Sequence, residues 1–333
     1  MRNQIFFEMA KSGRLFFDKP ASRVFLFIGY ILFAIVITLI GQILGGIVFV
    51  SLMAAGLIPG QSFDFADPQF DTASFGPIAQ GLLLFSGFIF TAIIVILWVT
   101  LVEKRSLASF GLGNPLKGFG LFLRGGLMAL VAMALIAFGL TGAGMAEMSP
   151  VSIPPSWAAV IPLVVLILGW SVQGSTEELV TRGVLFQSIG IRYGLIAALL
   201  TSSLFFSVMH GMNPNTTPLF FINLILYSLF VCFYCLREAS LWGACGYHAI
   251  WNFAQGDIFG FSVSGMQLGS DKLMTVTPTG PQLFTGGATG PEGGLATTIV
   301  LALSGIAVLL LVRPGKAETA LAKANTSPLS DAA

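Results

Sequence analysis

Charge is what this sequence has least of. Charged residues make up 9% of its 333 positions, hydrophobic residues make up 55%, and the formal net charge is +1. Soluble domains carry about 25% charged residues, so a water-soluble fold is excluded and a polytopic membrane protein is expected. A net charge of +1 gives no indication of nucleic acid, and no such partner is expected. Cysteine is scarce too: Cys232, Cys235 and Cys245 all sit in apolar runs. Cys232-x-x-Cys235 has redox spacing, but inside a membrane helix it reads as small thiols packed against neighbours. The chain has no H-E-x-x-H, no G-x-S-x-G, no P-loop and no Ser/His/Asp arrangement. It also reads as lacking a secretory signal. Residues 1–23 carry Arg2, Lys11, Arg14, Lys19 and Arg23, and the apolar run that follows is too long for an h-region.

What is abundant is long apolar sequence. Runs of about 20 apolar residues span a bilayer as helices. Eight are read, at about 24–54, 78–102, 119–141, 158–188, 194–211, 218–236, 239–256 and 294–312. The fold class is therefore all-α, a polytopic integral membrane protein. The first helix contains Gly41-x-x-x-Gly45, a spacing that lets two helices pack closely.

The loops alternate in charge. Segment 55–77 holds Asp64, Asp67 and Asp71 without a basic residue, and 103–118 holds Lys104, Arg105 and Lys117. Segments 142–157 and 212–217 hold no basic residue, 257–293 holds only Lys272, and Arg192, Arg237 and Arg313 mark the other sides. By the positive-inside rule both termini are cytoplasmic.

The chain then divides into six parts. A basic cytoplasmic or interfacial segment spans 1–23, three helices span 24–156, and a core of four helices spans 157–256. A Gly-rich non-cytoplasmic loop, 257–293, precedes the last helix, 294–312, and the tail 313–333. In the first of these, Phe6, Phe7, Met9, Ala10, Leu15, Phe16 and Phe17 would line one side of an interfacial helix. The stretch 280–294 and the tail read as flexible, non-core segments.

Against this apolar background a few polar residues stand out. Glu177 and Glu178 follow the apolar run from Trp157 to Trp170, and both histidines, His210 and His248, lie in apolar helices. Intramembrane ionisable residues are costly and mark function by default. Glu178 and Arg182 are four residues apart, as are His248 and Asn252, so each pair shares a helix face. Counting from the cytoplasmic turns at 1.5 Å per residue, Glu177 lies roughly 18–20 Å deep and His248 roughly 15 Å. Asn252 comes to roughly 21 Å and His210 to roughly 26 Å on the same count. Three helices thus carry these groups into an overlapping layer.

A carboxylate and an imidazole at one point can activate water, and imidazole and amide N–H groups can hold an oxyanion. Together they make a hydrolase site for an amide or ester carbonyl. Two histidines and a glutamate are equally a catalytic zinc ligand set, with Glu177, His210 and His248 as its members. Buried Glu and His also make proton relays in transporters. A non-catalytic membrane scaffold or immunity protein is the remaining alternative.

The motifs Glu177-Glu178-x-x-x-Arg182, Phe206-x-x-x-His210 and His248-x-x-x-Asn252 resemble those of the CPBP family. That family comprises type II CAAX prenyl proteases and related bacterial membrane proteins linked to bacteriocin processing and self-immunity. The resemblance covers residues 173–256. It implies an intramembrane endopeptidase acting on a membrane-associated or lipidated peptide, of glutamate or metallo type. Glu177 would be the general base, His210 would position water, and His248 with Asn252 would stabilise the oxyanion. Glu178 would support the site and Arg182 would anchor the acidic pair, while Phe206 reads as core beside His210. Compact loops and the lack of targeting signals suit a bacterial inner membrane.

Overall fold

The structure is a computed structural model that describes residues 5–12, 23–59, 61, 74–154, 156–157, 160–267 and 272–312. Its long helices are α2 (Arg23–Ala54), α3 (Pro77–Leu97), α4 (Pro115–Gly142), α5 (Ile161–Glu178), α6 (Gln187–Met209), α7 (Pro218–Glu238), α8 (Trp242–Phe253) and α10 (Leu295–Leu311). Two short helices, α1 (Ile5–Glu8) and α9 (Gln282–Thr285), flank them. Among the described residues five helical runs are long and apolar enough to cross a membrane: Val24–Ala54, Pro77–Val102, Pro115–Gly142, Ile161–Met209 and Pro218–Glu238. Their outward faces expose Phe25, Leu32, Leu123, Leu127, Leu168 and Leu204. A helix that is apolar all round suits lipid on one side and protein on the other, so this is a polytopic helical membrane protein. Among the described residues the strands are a two-stranded antiparallel ribbon of β1 (Ala146–Met148) and β2 (Val276–Pro278).

The eight expected segments are all helical, with altered boundaries, but only the five runs named above are long and apolar enough to cross a membrane among the described residues. The expected 158–188 and 194–211 form one helical run whose dihedrals break only at Gly194, φ 83° and ψ 174°. The chain reverses there, because Ser202 Oγ donates to Thr181 O at 3.1 Å. That backbone region is essentially restricted to glycine, and other residues pay about 1–3 kcal/mol to enter it. Gly194→Ala is therefore expected to destabilise the protein by about that amount, read as a lower thermal midpoint in detergent. The last two expected spans are short here: α8 has 12 residues before a five-residue π-helical turn, Ala254–Ile258, and α10 has 17.

Glycines set the helix spacing. Gly41 and Gly45 of α2 face Thr91 and Ser86 of α3 so closely that a Cβ at either would collide with α3 backbone. The G-x-x-x-G spacing does serve close packing. Gly125 of α4 faces the Gly243 carbonyl and Gly246 of α8 faces the Phe122 carbonyl, which seats α8 deep in the bundle. A Cβ at Gly174 of α5 would lie 2.8 Å from Ala249 N. This close approach brings the turn after Gly174 against His248.

Two segments differ from expectation. Phe6 and Phe7 do not lie along a membrane surface; they are buried, and Phe7 meets the Phe186 ring at 5.0 Å. Gln187 holds this segment by donating to Phe6 O at 3.0 Å, while its Oε1 accepts from Arg105 at 2.6 Å. Arg105 is itself buried and pairs with Glu103 at 3.0 Å. Burial pushes the Glu103 carboxyl above its ordinary range, partly offset by Arg105. The Gly-rich stretch is the second case. It is not peripheral: Thr285, Thr289 and Glu292 are buried, and Glu292 is tied into the bundle by four hydrogen bonds to its side chain. Gly290, at φ 88° and ψ 177°, makes the turn that turns the chain inward. Arg2, Arg14, Lys19, Asp64, Asp67, Asp71, Arg313, Lys316 and Lys323, which carry much of the orientation argument, lie outside the described residues.

Candidate active site

The helix carrying the acidic pair changes pitch at the pair. α5 ends at Glu178 and continues as a π-helical stretch, Leu179–Phe186, before α6 begins. Wider π turns inside α-helices occur frequently at functional sites. Every residue of this stretch is buried.

Glu178 and Arg182 are both fully buried and pair at 3.2 Å between Oε1 and Nη1. The same Oε1 lies 2.8 Å from His248 Nδ1. A carboxylate paired with a guanidinium can only accept, so Nδ1 carries the proton in this contact. That fixes the His248 ring and turns Nε2 toward Glu177, whose Oε2 is 3.7 Å away. A gap of that length suits a bridging atom better than a direct bond. Glu177 Oε2 is buried without a hydrogen-bond partner. Its other oxygen, Oε1, accepts from Gln173 Nε2 at 2.7 Å. Gln173 Oε1 accepts in turn from Asn252 Nδ2 at 2.9 Å.

Glu177, His210, His248 and Asn252 all line one cavity of ≈ 280 Å³. Glu178 and Arg182 stand behind it in the protein interior. His210 reaches it from the C-terminal end of α6, held by a 2.8 Å contact from Nδ1 to Phe206 O. A carbonyl only accepts, so His210 Nδ1 is the protonated nitrogen and Nε2 is the one able to accept. Phe206 does more than fill space. The Arg182 guanidinium sits 4.8 Å over its ring, and its ring lies 4.8 Å from His210 and 5.9 Å from His248. This cation–π contact links the first and second motifs, which explains an aromatic at that spacing.

The zinc set considered from sequence does not assemble. Holding the metal requires three donors converging on one point at about 2 Å each. Among the described residues no group of three His, Cys, Asp or Glu side chains is so placed. Glu178 holds Nδ1 of His248 and Phe206 O holds Nδ1 of His210, contacts that leave each Nε2 as the nitrogen able to ligate, so it is the lack of a common meeting point that separates the three donors.

Three contributors escaped sequence reading. Gln173, four residues before Glu177, bridges the base candidate to Asn252; the i, i+4 spacing was its only signal. Glu292 lines the same cavity, its Oε2 accepting from Ser264 N at 2.7 Å and from Gln255 Nε2 at 3.2 Å. Asp257, fully buried, accepts from Trp170 Nε1 at 2.7 Å. Glu177 and Glu178 are therefore not the only acids deep in the bundle.

Residues 157–254 match the model of the type II CAAX prenyl endopeptidase Rce1-like family. The similarity to that family is confined to this stretch. The stretch comprises α5, the π stretch, α6, α7 and the whole of α8, so all three motifs fall inside it. The match spans 98 of the 333 residues. No curated protein and no solved structure matches the chain. The Rce1-like assignment agrees with the CPBP resemblance of the motifs and suggests intramembrane endopeptidase activity, in a bilayer, on a protein or peptide substrate.

Proposed function

We propose that this protein is an intramembrane endopeptidase whose base is Glu177. The observation that carries the reading is the unpartnered Glu177 Oε2 facing His248 Nε2 across 3.7 Å at a cavity lined by the Rce1-like stretch. In this scheme a water bound at Glu177 Oε2, with His210 Nε2 accepting its second hydrogen bond, adds to the substrate carbonyl carbon. Glu177 takes the water proton. The carbonyl oxygen gains negative charge and is held by the free N–H of Asn252 Nδ2 and by His248 Nε2, which requires the doubly protonated ring. The C–N bond then breaks as Glu177 returns its proton to the leaving nitrogen. Gln173 fixes Glu177 relative to Asn252, and Glu178 with Arg182 fixes His248.

The substrate is a membrane-associated or lipidated peptide, a reading supported by the apolar part of the cavity wall, with Leu83, Leu84, Phe88, Leu224 and Leu301. Incubating the detergent-purified protein with a membrane-peptide library, with fragments read by mass spectrometry, tests this. Paired fragments with a new carboxyl and a new amine are expected. Binding of peptides without fragments would instead support a scaffold. A parallel arm with chelator and zinc add-back reports directly on the metallo-type alternative.

Eight crossings with both termini cytoplasmic, in a bacterial inner membrane, complete the proposal. The alternating loop charges support it. In intact cells, Lys272→Cys is expected to react with an impermeant maleimide, and Lys117→Cys only after permeabilisation. The opposite pattern would reverse the orientation.

A further inference from the structure

We propose that the amide of Gln80 is a second binding point in the cavity, one that pairs with a main-chain peptide group of an extended, apolar substrate. Gln80 lies in the first turn of α3, is buried, and lines the same cavity as Glu177. Neither its Nε2 nor its Oε1 has a hydrogen-bond partner. A buried amide without partners costs about 1–3 kcal/mol on protein mutational scales, so a purely structural glutamine here would be an unrewarded cost. An amide offers one donor side and one acceptor side, the complement of a peptide N–H and C=O. The cavity wall between the two ends is apolar, with Leu83, Leu84, Phe88 and Trp170. That wall suits hydrophobic side chains.

The spacing gives a length. Gly81 and Gly169 are in contact, a Cβ at Gly169 falling 2.6 Å from Gly81 O, so Gln80 stands level with that part of α5. Glu177 lies eight residues further along the same helix, about 12 Å at 1.5 Å per residue. Farther up, Thr176 Oγ1 donates to Phe88 O at 3.3 Å, so α3 and α5 stay side by side over this distance. An extended chain covers about 12 Å in three to four residues. Gln80 therefore holds the main chain three to four residues from the bond that Glu177 addresses. The site is thereby selective for length and for backbone rather than for side-chain charge.

This inference rests on the endopeptidase reading for its register but not for its test. The probes are fluorescent leucine–alanine peptides of increasing length, with single N-methylated peptide bonds introduced along the longest. Binding is measured by anisotropy on the full-length protein in detergent, and hydrolysis is followed separately. For the wild type, affinity is expected to step up once a peptide is long enough to reach Gln80, and one N-methyl position should weaken it by about tenfold. Gln80→Leu should abolish both the step and the N-methyl penalty, leaving short peptides unaffected. Gln80→Met serves as a second variant of similar volume. Both should melt no lower than the wild type, since they remove buried unpartnered polar atoms. Equal weakening of all lengths, or a lowered melting point in both variants, would show a structural role and overturn the proposal. So would a wild type that binds no peptide, or that binds all lengths alike. Length-dependent binding through Gln80 without any hydrolysis would leave the subsite standing and remove the endopeptidase reading.

Discussion

Glu177→Gln should cut peptide-bond cleavage by about 10³-fold, within the usual range for loss of a general base, while leaving peptide binding within about twofold of wild type. The substitution keeps the side-chain volume and an oxygen that can accept from Gln173 Nε2, a bond of 2.7 Å in the native protein. What it removes is the ability of Oε2 to take a proton from water beside His248. Glu177 is partly exposed at the cavity, and Arg182 pairs with Glu178 instead, so the fold has little stake in the charge of Glu177. The thermal midpoint should accordingly stay near the wild-type value. Cleavage that persisted at the wild-type rate in Glu177→Gln would sink the proposed base and shift attention to His210 or Glu292, the other proton acceptors lining the cavity.

The largest stability effect belongs to its neighbour. Glu178→Ala should destabilise the protein by about 3–5 kcal/mol, the usual cost of stranding one member of a buried ion pair. Arg182 is fully buried with a single carboxylate partner at 3.2 Å, and bilayer and protein together leave its charge no route to water. The same substitution frees His248 Nδ1 from its 2.8 Å contact, so the ring loses its orientation and activity should fall with stability. The two effects can be separated. In the double variant Glu178→Gln, Arg182→Met the unpaired charge is gone, so much of the stability should return. Activity should not, because a glutamine no longer offers His248 a charged acceptor. Reversible unfolding in mixed detergent, run beside the cleavage assay, measures both. A double variant as unstable as Glu178→Ala would mean that the ion pair is not what holds this region.

The four elements of the core show how far patterning reaches. Composition and the long apolar runs are enough to read a helical membrane protein, because hydrocarbon leaves few other ways to satisfy the backbone. The polar residues of the site were also legible, since a charge or imidazole in such a run has a cost that demands a reason. Gln173 and Gln80 were not, because an uncharged amide is buried at little cost once any neighbour hydrogen-bonds it, so its presence names no partner. Glu292 was missed for a different reason. Its flanking glycines, Gly290 at φ 88° among them, give the look of a loose loop, and only their conformations reveal an inward turn. Phe206 read as plain core until its ring was found beneath the Arg182 guanidinium at 4.8 Å.

The sequence by itself determined the solvent of this protein, its helical class and the small set of residues able to do chemistry within it. These follow from local composition and from the 3.6-residue period, which need no knowledge of neighbours. The tertiary structure alone decided which of those residues face one another. Close approach at Gly174 and along the glycines of α8 brings His248 between Glu178 and Glu177. The π-helical stretch after Glu178 carries Arg182 back under Phe206. Contacts between residues some 70 positions apart are set by packing of whole helices, a property no local pattern encodes.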